Sequence, residues 1–165
     1  MSILKEIDGV KNISIYEYNE EKAYRFVQLI NKVINPNVVK DVFISYSSKN
    51  FNEALKITKI LDENNLSYWM APDSIPTGSS YLDEIASAIV NSSCLLLVLS
   101  RDAENSSWVI KEVETAIDCK KKIIPYKYDD YLVNLKFNLI LRDCQILSLT
   151  DNQELSKRLI DTIKK

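Results

Sequence analysis

Histidine is absent from all 165 residues of the chain. That removes every Ser–His or Cys–His nucleophile pair, every imidazole metal ligand and the commonest general base. Glycine is almost as scarce, with only Gly9 and Gly78. A Rossmann-type dinucleotide fingerprint and a phosphate-binding P-loop both need more, so neither of those nucleotide-binding arrangements fits. The three cysteines, Cys94, Cys119 and Cys144, lie 25 residues apart each time. No pair has zinc spacing and an odd number argues against a disulfide framework. No metal and a reducing, cytoplasmic setting are the expectations. A basic excess is also missing: the net charge is −2 and the pI about 5.3, which disfavours nucleic acid as a partner. The one basic run, Lys120-Lys121-Lys122, reads as a solvated turn. The longest apolar run, Cys94 to Leu99, is too short to cross a membrane. The opening residues, Met1 to Glu6, carry charge too early for a secretory leader.

What remains is an ordinary globular composition, 46% apolar and 27% charged, sized for one domain and a modest extension. From Asp41 onward, short apolar runs alternate with amphipathic ones. Asp41 to Tyr46 reads as a strand. Ser47, Ser48 and Asn50 offer caps for a helix over Phe51 to Asn64, with Ala54, Leu55, Thr58 and Leu61 on its stripe. Leu66 to Met70 reads as a second strand, and Ala71 to Gly78 as a loop broken by Pro72, Pro76 and Gly78. A second helix opens near Ser80, with Leu82, Ile85, Ala86 and Ile89 in register. Cys94 to Leu99 is apolar on both faces and reads as a central strand covered on both sides. A third helix is expected over Ser106 to Cys119 and a fourth strand over Lys122 to Tyr126. Residues 129–142 read as a short helix or an ordered loop. Gln145 to Leu149 reads as a fifth strand. A last helix opens at Asp151-Asn152-Gln153-Glu154, with Leu155, Leu159, Thr162 and Ile163 in register.

Five alternations of strand and helix imply an α/β fold, since parallel strands need crossovers. The expected architecture is flavodoxin-like: a five-stranded parallel sheet in order 2-1-3-4-5 with helices on both faces. Residues 1–39 form an N-terminal extension. A strand is expected over Ile13 to Tyr18, and Glu20 to Ile34 reads as an amphipathic helix. The main domain is expected over residues 40–165.

Ligands of such sheets bind beyond the C-terminal strand edge, so the residues after each strand are the candidates. Tyr46-Ser47-Ser48-Lys49-Asn50 offers hydroxyls and backbone N–H groups for a phosphate, or simple capping. Trp69 to Gly78 is long, stiffened by two prolines, and carries Ile75 among polar residues. On the third helix, Trp108 and Glu112 are four apart and share a face. A carboxylate beside a large aromatic suits a flat ring joined to a sugar, because a carboxylate can stabilise or attack a cation-like sugar. A surface glutamate paired with Lys111 or Ser106 is the plainer alternative. Glu114 is expected on another, solvated face, and Asp118 is a weaker candidate.

These motifs, in this order, resemble the TIR (Toll/interleukin-1 receptor) domain family of the bacterial NAD-cleaving type. Asp41 to Tyr46 resembles the opening strand, and Trp69 to Gly78 the so-called BB loop. Leu97 to Ser100 and Ser107 to Val113 resemble the third strand and the glutamate-bearing helix, and Ile123-Ile124-Pro125 the fourth strand. The resemblance implies an NAD+ glycohydrolase or cyclase in bacterial immune signalling or anti-phage defence, with Glu112 as catalytic residue and NAD+ as substrate. It implies that Trp108, Tyr46, Ser47, Ser48, Trp69, Ala71, Asp73, Ile75 and Gly78 line the substrate pocket. Where the animal enzyme carries basic residues after the first strand, this chain has Ser47 and Ser48, which leaves Lys49 as the phosphate contact. It also implies self-association through loop 71–78, and other TIR domains or a downstream effector as partners, with no added cofactor. A non-catalytic TIR adaptor is the alternative. A phospho-receiver would need an acidic residue where Ser100 stands, and a nucleoside deoxyribosyltransferase would lack the 69–78 motif.

Overall fold

The structure is a computed structural model that describes residues 40–70, 80–148 and 152–165. The elements expected before residue 40 and the loop Ala71 to Gly78 lie outside the described residues. Strand β1 (Lys40–Ser45) leads through a 3-10 turn (Ser48–Asn50) into helix α1 (Phe51–Glu63). Then come β2 (Tyr68–Met70), α2 (Ser80–Val90), β3 (Ser92–Leu99), a short α3 (Arg101–Glu104) and α4 (Ser107–Asp118). The chain closes with β4 (Lys122–Lys127), α5 (Leu135–Ile140), β5 (Leu147–Ser148) and α6 (Asn152–Lys164). The sheet order is β2-β1-β3-β4-β5 and every pairing is parallel. The flavodoxin-like α/β reading is therefore correct.

The order dictates where the helices go. The chain moves one way from β1 to β2 and the other way from β2 through β3 to β5. Right-handed crossovers then put α1 on one face and α2, α4 and α5 on the other. Side-chain parity agrees, since alternate residues of a strand face opposite ways. Phe43, Leu95, Leu97 and Leu99 share a core with Ile85 and Ile89 of α2, Val109, Val113 and Ala116 of α4, and Phe137 of α5. The opposite parity, Val42, Ile44, Leu96 and Val98, is equally buried. Among the described residues, Ala54, Ile57 and Leu61 of α1 and Leu159 and Ile160 of α6 form further buried helical stripes. β3 is buried along its apolar length because both faces are covered, as its unbroken apolar run predicts.

Two helices end on a left-handed residue. Asn65 has φ 56° and Lys120 has φ 53°. Each is followed by a backbone bond closing the last turn, Leu66 N–H to Leu61 C=O at 3.0 Å and Lys121 N–H to Ala116 C=O at 2.8 Å.

Some expectations need correction. Ser47 and Asn50 precede helices but make no side-chain cap bond, because Asn50 spends its amide elsewhere. Ile57 takes a fully buried place on α1, while Leu55 is only half-buried. Leu82 is 51% exposed, at the outer edge of its helix stripe. The lysine run is more than a solvated turn. Lys120 is exposed, but Lys121 Nζ donates to the Val90 and Ser92 carbonyls at 2.6 and 2.8 Å. Lys122 Nζ donates to the Thr162 carbonyl at 2.5 Å. Helix ends leave carbonyls without intrahelical partners, and a nearby ammonium satisfies them.

Leu97 is completely buried in the shared core. Leu97→Ala is expected to cost about 2–5 kcal/mol, measured by urea unfolding. Leu132, 89% exposed, provides the control: Leu132→Ala should stay within about 0.5 kcal/mol of the parent.

Candidate active site

Switching direction between β1 and β3 opens a crevice at their C-terminal ends. Ser45 is the last residue of β1 and pairs in register with Leu97 of β3. It has the same parity as Phe43, so its hydroxyl points to the face carrying α2 and α4. There it meets Glu112. The Ser45 hydroxyl donates to Glu112 Oε2 at 2.5 Å, with Ser45 fully buried and Glu112 5% exposed.

Glu112 reaches this position because α4 is anchored at its start. Ser106 caps it, its Oγ accepting from the Val109 N–H at 3.4 Å. Val109, Val113 and Ala116 then turn inward on one stripe, and Glu112 lies beside Val113 on that buried side. The carboxyl is thus inside the protein margin, neither paired with Lys111 nor with Ser106 as the plainer sequence reading had it. Burial pushes it up from 4.5 to about 7, the hydrogen bond from Ser45 pulling the other way.

Glu112 also borders a hollow of about 390 Å³ between α2 and α4. Trp108 and Thr115 of α4 and Leu82, Ile85 and Ala86 of α2 contribute to its walls. Trp108 and Glu112 are therefore brought together, as their spacing of four predicts. Charge around the hollow is mostly negative: Asp83, Glu114 and Asp118 line it, with Lys111 as the cation. Lys111 Nζ lies over the Trp108 ring, 5.1 Å from its centroid, in cation–π contact.

The other expected site residues are placed differently. Tyr46 is buried, its ring tilted against Phe51 at 6.2 Å. Ser47 is buried and Ser48 exposed. Lys49 is 75% exposed and ion-paired with Asp102 at 2.9 Å. Trp69 stacks on Phe43, ring centroids 4.8 Å apart. These residues do not line the hollow beside Glu112. Ala71, Asp73, Ile75 and Gly78 lie outside the described residues. Among the described residues there is no cluster of metal-ligating side chains and no helix long and apolar enough to cross a membrane.

Sequence reasoning missed three buried polar groups at this edge. Ser45 is the first. A polar residue at an inward parity position of an apolar strand was the available signal. The second is the chain Ser100–Asn50–Tyr128. Ser100 donates to Asn50 Oδ1 at 2.6 Å, and Asn50 Nδ2 donates to the Tyr128 hydroxyl at 2.8 Å. Ser100 also accepts from the Ala103 N–H at 2.9 Å, capping α3. The loops after β1, β3 and β4 are tied together by this chain. The third is Glu104, 7% exposed, which accepts from the Asn134 N–H at 2.8 Å and the Tyr131 hydroxyl at 3.4 Å. It holds the approach to α5.

The sequence match shows the family, and the solved structures show the fold. Residues 42–160 match the TIR domain family. No curated protein matches the chain. Among solved structures, the TIR domain of the Toll-related receptor TRR-2 from Hydra magnipapillata superposes with a TM-score of 0.64 at 19% identity, covering 76% of this chain and 99% of that one. The TIR domains of the activated Roq1 resistosome, which recognises the pathogen effector XopQ, give 0.57 at 16% identity over 75% and 99%. A metazoan TIR-STING receptor from C. gigas, solved with 2',3'-cGAMP, gives 0.60 at 21% identity over 78% of this chain and 40% of that one. At such identities these structures establish the shared fold.

Glu112 has a stability consequence whatever its chemistry. Its folded pKa lies above its ordinary value, so the folded state binds the extra proton and loses stability as pH rises from 4.5 to about 7. Above that window the loss is complete, on the order of 3 kcal/mol. Glu112→Gln should therefore match the parent near pH 4 and exceed it in stability above pH 7. Denaturant midpoints measured across that range check the sign; a gap that is flat with pH would contradict it.

Proposed function

Because the chain belongs to the TIR domain family, we propose that it is an NAD+ glycohydrolase or cyclase that breaks the nicotinamide–ribose bond, with Glu112 as its catalytic residue. One observation carries this reading: a nearly buried carboxylate stands at the switch-point crevice beside an aromatic ring and a hollow.

The reaction needs little from the protein beyond placement and charge. The bond between the ribose C1′ and the nicotinamide nitrogen breaks, and its electron pair leaves with neutral nicotinamide. Positive charge builds on the ribose, and an ionised Glu112 stabilises it from a low-dielectric position, where a fixed charge acts more strongly than in water. Water adds to C1′ and loses a proton, giving ADP-ribose; a nucleophile on the same substrate gives a cyclic product instead. No metal or added cofactor takes part. The acidic rim of Asp83, Glu114 and Asp118 complements the positive nicotinamide ring of the substrate. Trp108 offers that ring a flat surface. By the family resemblance, self-association runs through loop 71–78, with other TIR domains or a downstream effector as partners. The setting that follows from the family resemblance is cytoplasmic immune signalling of the anti-phage kind.

A second reading has one observation in its favour. Leu132, Leu135 and Leu139 are 89%, 87% and 67% exposed around α5, an apolar surface suited to assembly by a non-catalytic scaffold. Concentrated wild-type protein separates the two. Release of nicotinamide from NAD+ is expected, and Glu112→Ala should lower it by roughly 10²–10³-fold or more. Equal turnover by parent and variant excludes Glu112 as the catalytic group. The absence of turnover in concentrated parent favours the scaffold.

A further inference from the structure

Ser45 stands apart from the residues a binding pocket would recruit. It is fully buried, ends an apolar strand, and sends its hydroxyl 2.5 Å to one oxygen of Glu112. A buried hydroxyl left without a partner would cost stability, and here its partner is the carboxylate at the hollow. We propose that Ser45 is a positioning residue for Glu112: its hydroxyl holds Oε2, turns Oε1 in a defined direction, and favours the carboxylate over the carboxylic acid. The proposal rests on Glu112 being the catalytic carboxylate only for its effect on turnover; the effect on Glu112 itself does not depend on that.

Three features support it. A carboxylate held through one oxygen cannot rotate without losing its bond, so the other oxygen is aimed. A hydrogen bond donated to a charged form favours that form. Among the described residues, the surroundings offer little else to do so. Asp83 of α2 and Glu114 and Asp118 of α4 line the same hollow and are acidic. Lys111 is the cation there and lies over Trp108. On neighbouring elements, Glu104 of α3 is committed to Asn134 and Tyr131, and Lys127 of β4 lies over Tyr131. Burial raises the Glu112 carboxyl, and Ser45 is the group that opposes it.

The test uses the full chain and two readouts. The first is the side-chain carboxyl ¹³C shift of Glu112 followed through a pH titration, assigned by its loss in Glu112→Gln. The second is the pH profile of kcat/KM for nicotinamide release from NAD+. In Ser45→Ala the Glu112 midpoint should rise by about one pH unit or more. The acid limb of activity should move up by the same amount, while the high-pH plateau falls less than the value at neutral pH. Ser45→Cys, a weaker donor of similar size, should lie between, and serves if Ser45→Ala does not fold. A folded Ser45 variant whose Glu112 midpoint stays where it was overturns the proposal. Should the midpoint move while the parent releases no nicotinamide at any pH, the Ser45 linkage holds and the enzymatic reading falls. If the parent turns over and Glu112→Gln does not, but the limb is unmoved in Ser45→Ala, the reverse is true.

Discussion

The domain is organised around a carboxylate brought out of water at the end of a strand. Desolvation penalises the charge on Glu112, and a single hydroxyl from the neighbouring strand offsets part of that penalty. The arrangement needs three separate things to coincide. β1 must end at Ser45 with inward parity. The strand order must reverse between β1 and β3 so that helices α2 and α4 share a face and the crevice lies between strand ends. Helix α4 must be capped at Ser106, because a shift of one residue would rotate Glu112 about 100° off its face. The fold is the device that makes those conditions hold together.

Most of the architecture was legible in the sequence. Its unbroken apolar run identified β3, and strand–helix alternation identified the parallel sheet and its order. Both signals are strong because both faces of a parallel sheet are buried. Trp108 and Glu112 were legible as a pair for a similar reason: helical spacing of four is a geometric statement. Polar partners were not. Asn50 looked like a helix cap and is instead bonded to Ser100 and Tyr128, residues 50 and 78 positions away. Local propensity cannot reveal a long-range hydrogen bond. Ser45 escaped for the same reason, since its partner is 67 residues distant.

The strand ends at this edge are held by chemistry different from that of the core. Ser100, Asn50 and Tyr128 connect three loops, and Glu104 connects a fourth segment through Asn134 and Tyr131. Ser100, Asn50 and Glu104 each spend polar atoms on partners from distant parts of the chain, and such bonds stiffen an interior. Loops on one side of the crevice are thus braced to one another while α2 and α4 border the hollow on the other.

Lys121 gives the opposite end of the sheet a distinct mechanical character. Its ammonium bridges the last carbonyl of α2 and the first of β3, pinning the helix where it enters the strand. With that end clamped, any swing of α2 relative to α4 has its fulcrum at Val90 to Ser92, and the travel is greatest at the far tip of the helix, on the side of Leu82 and Asp83. Any change in the width of the hollow between α2 and α4 would therefore be greatest at that tip.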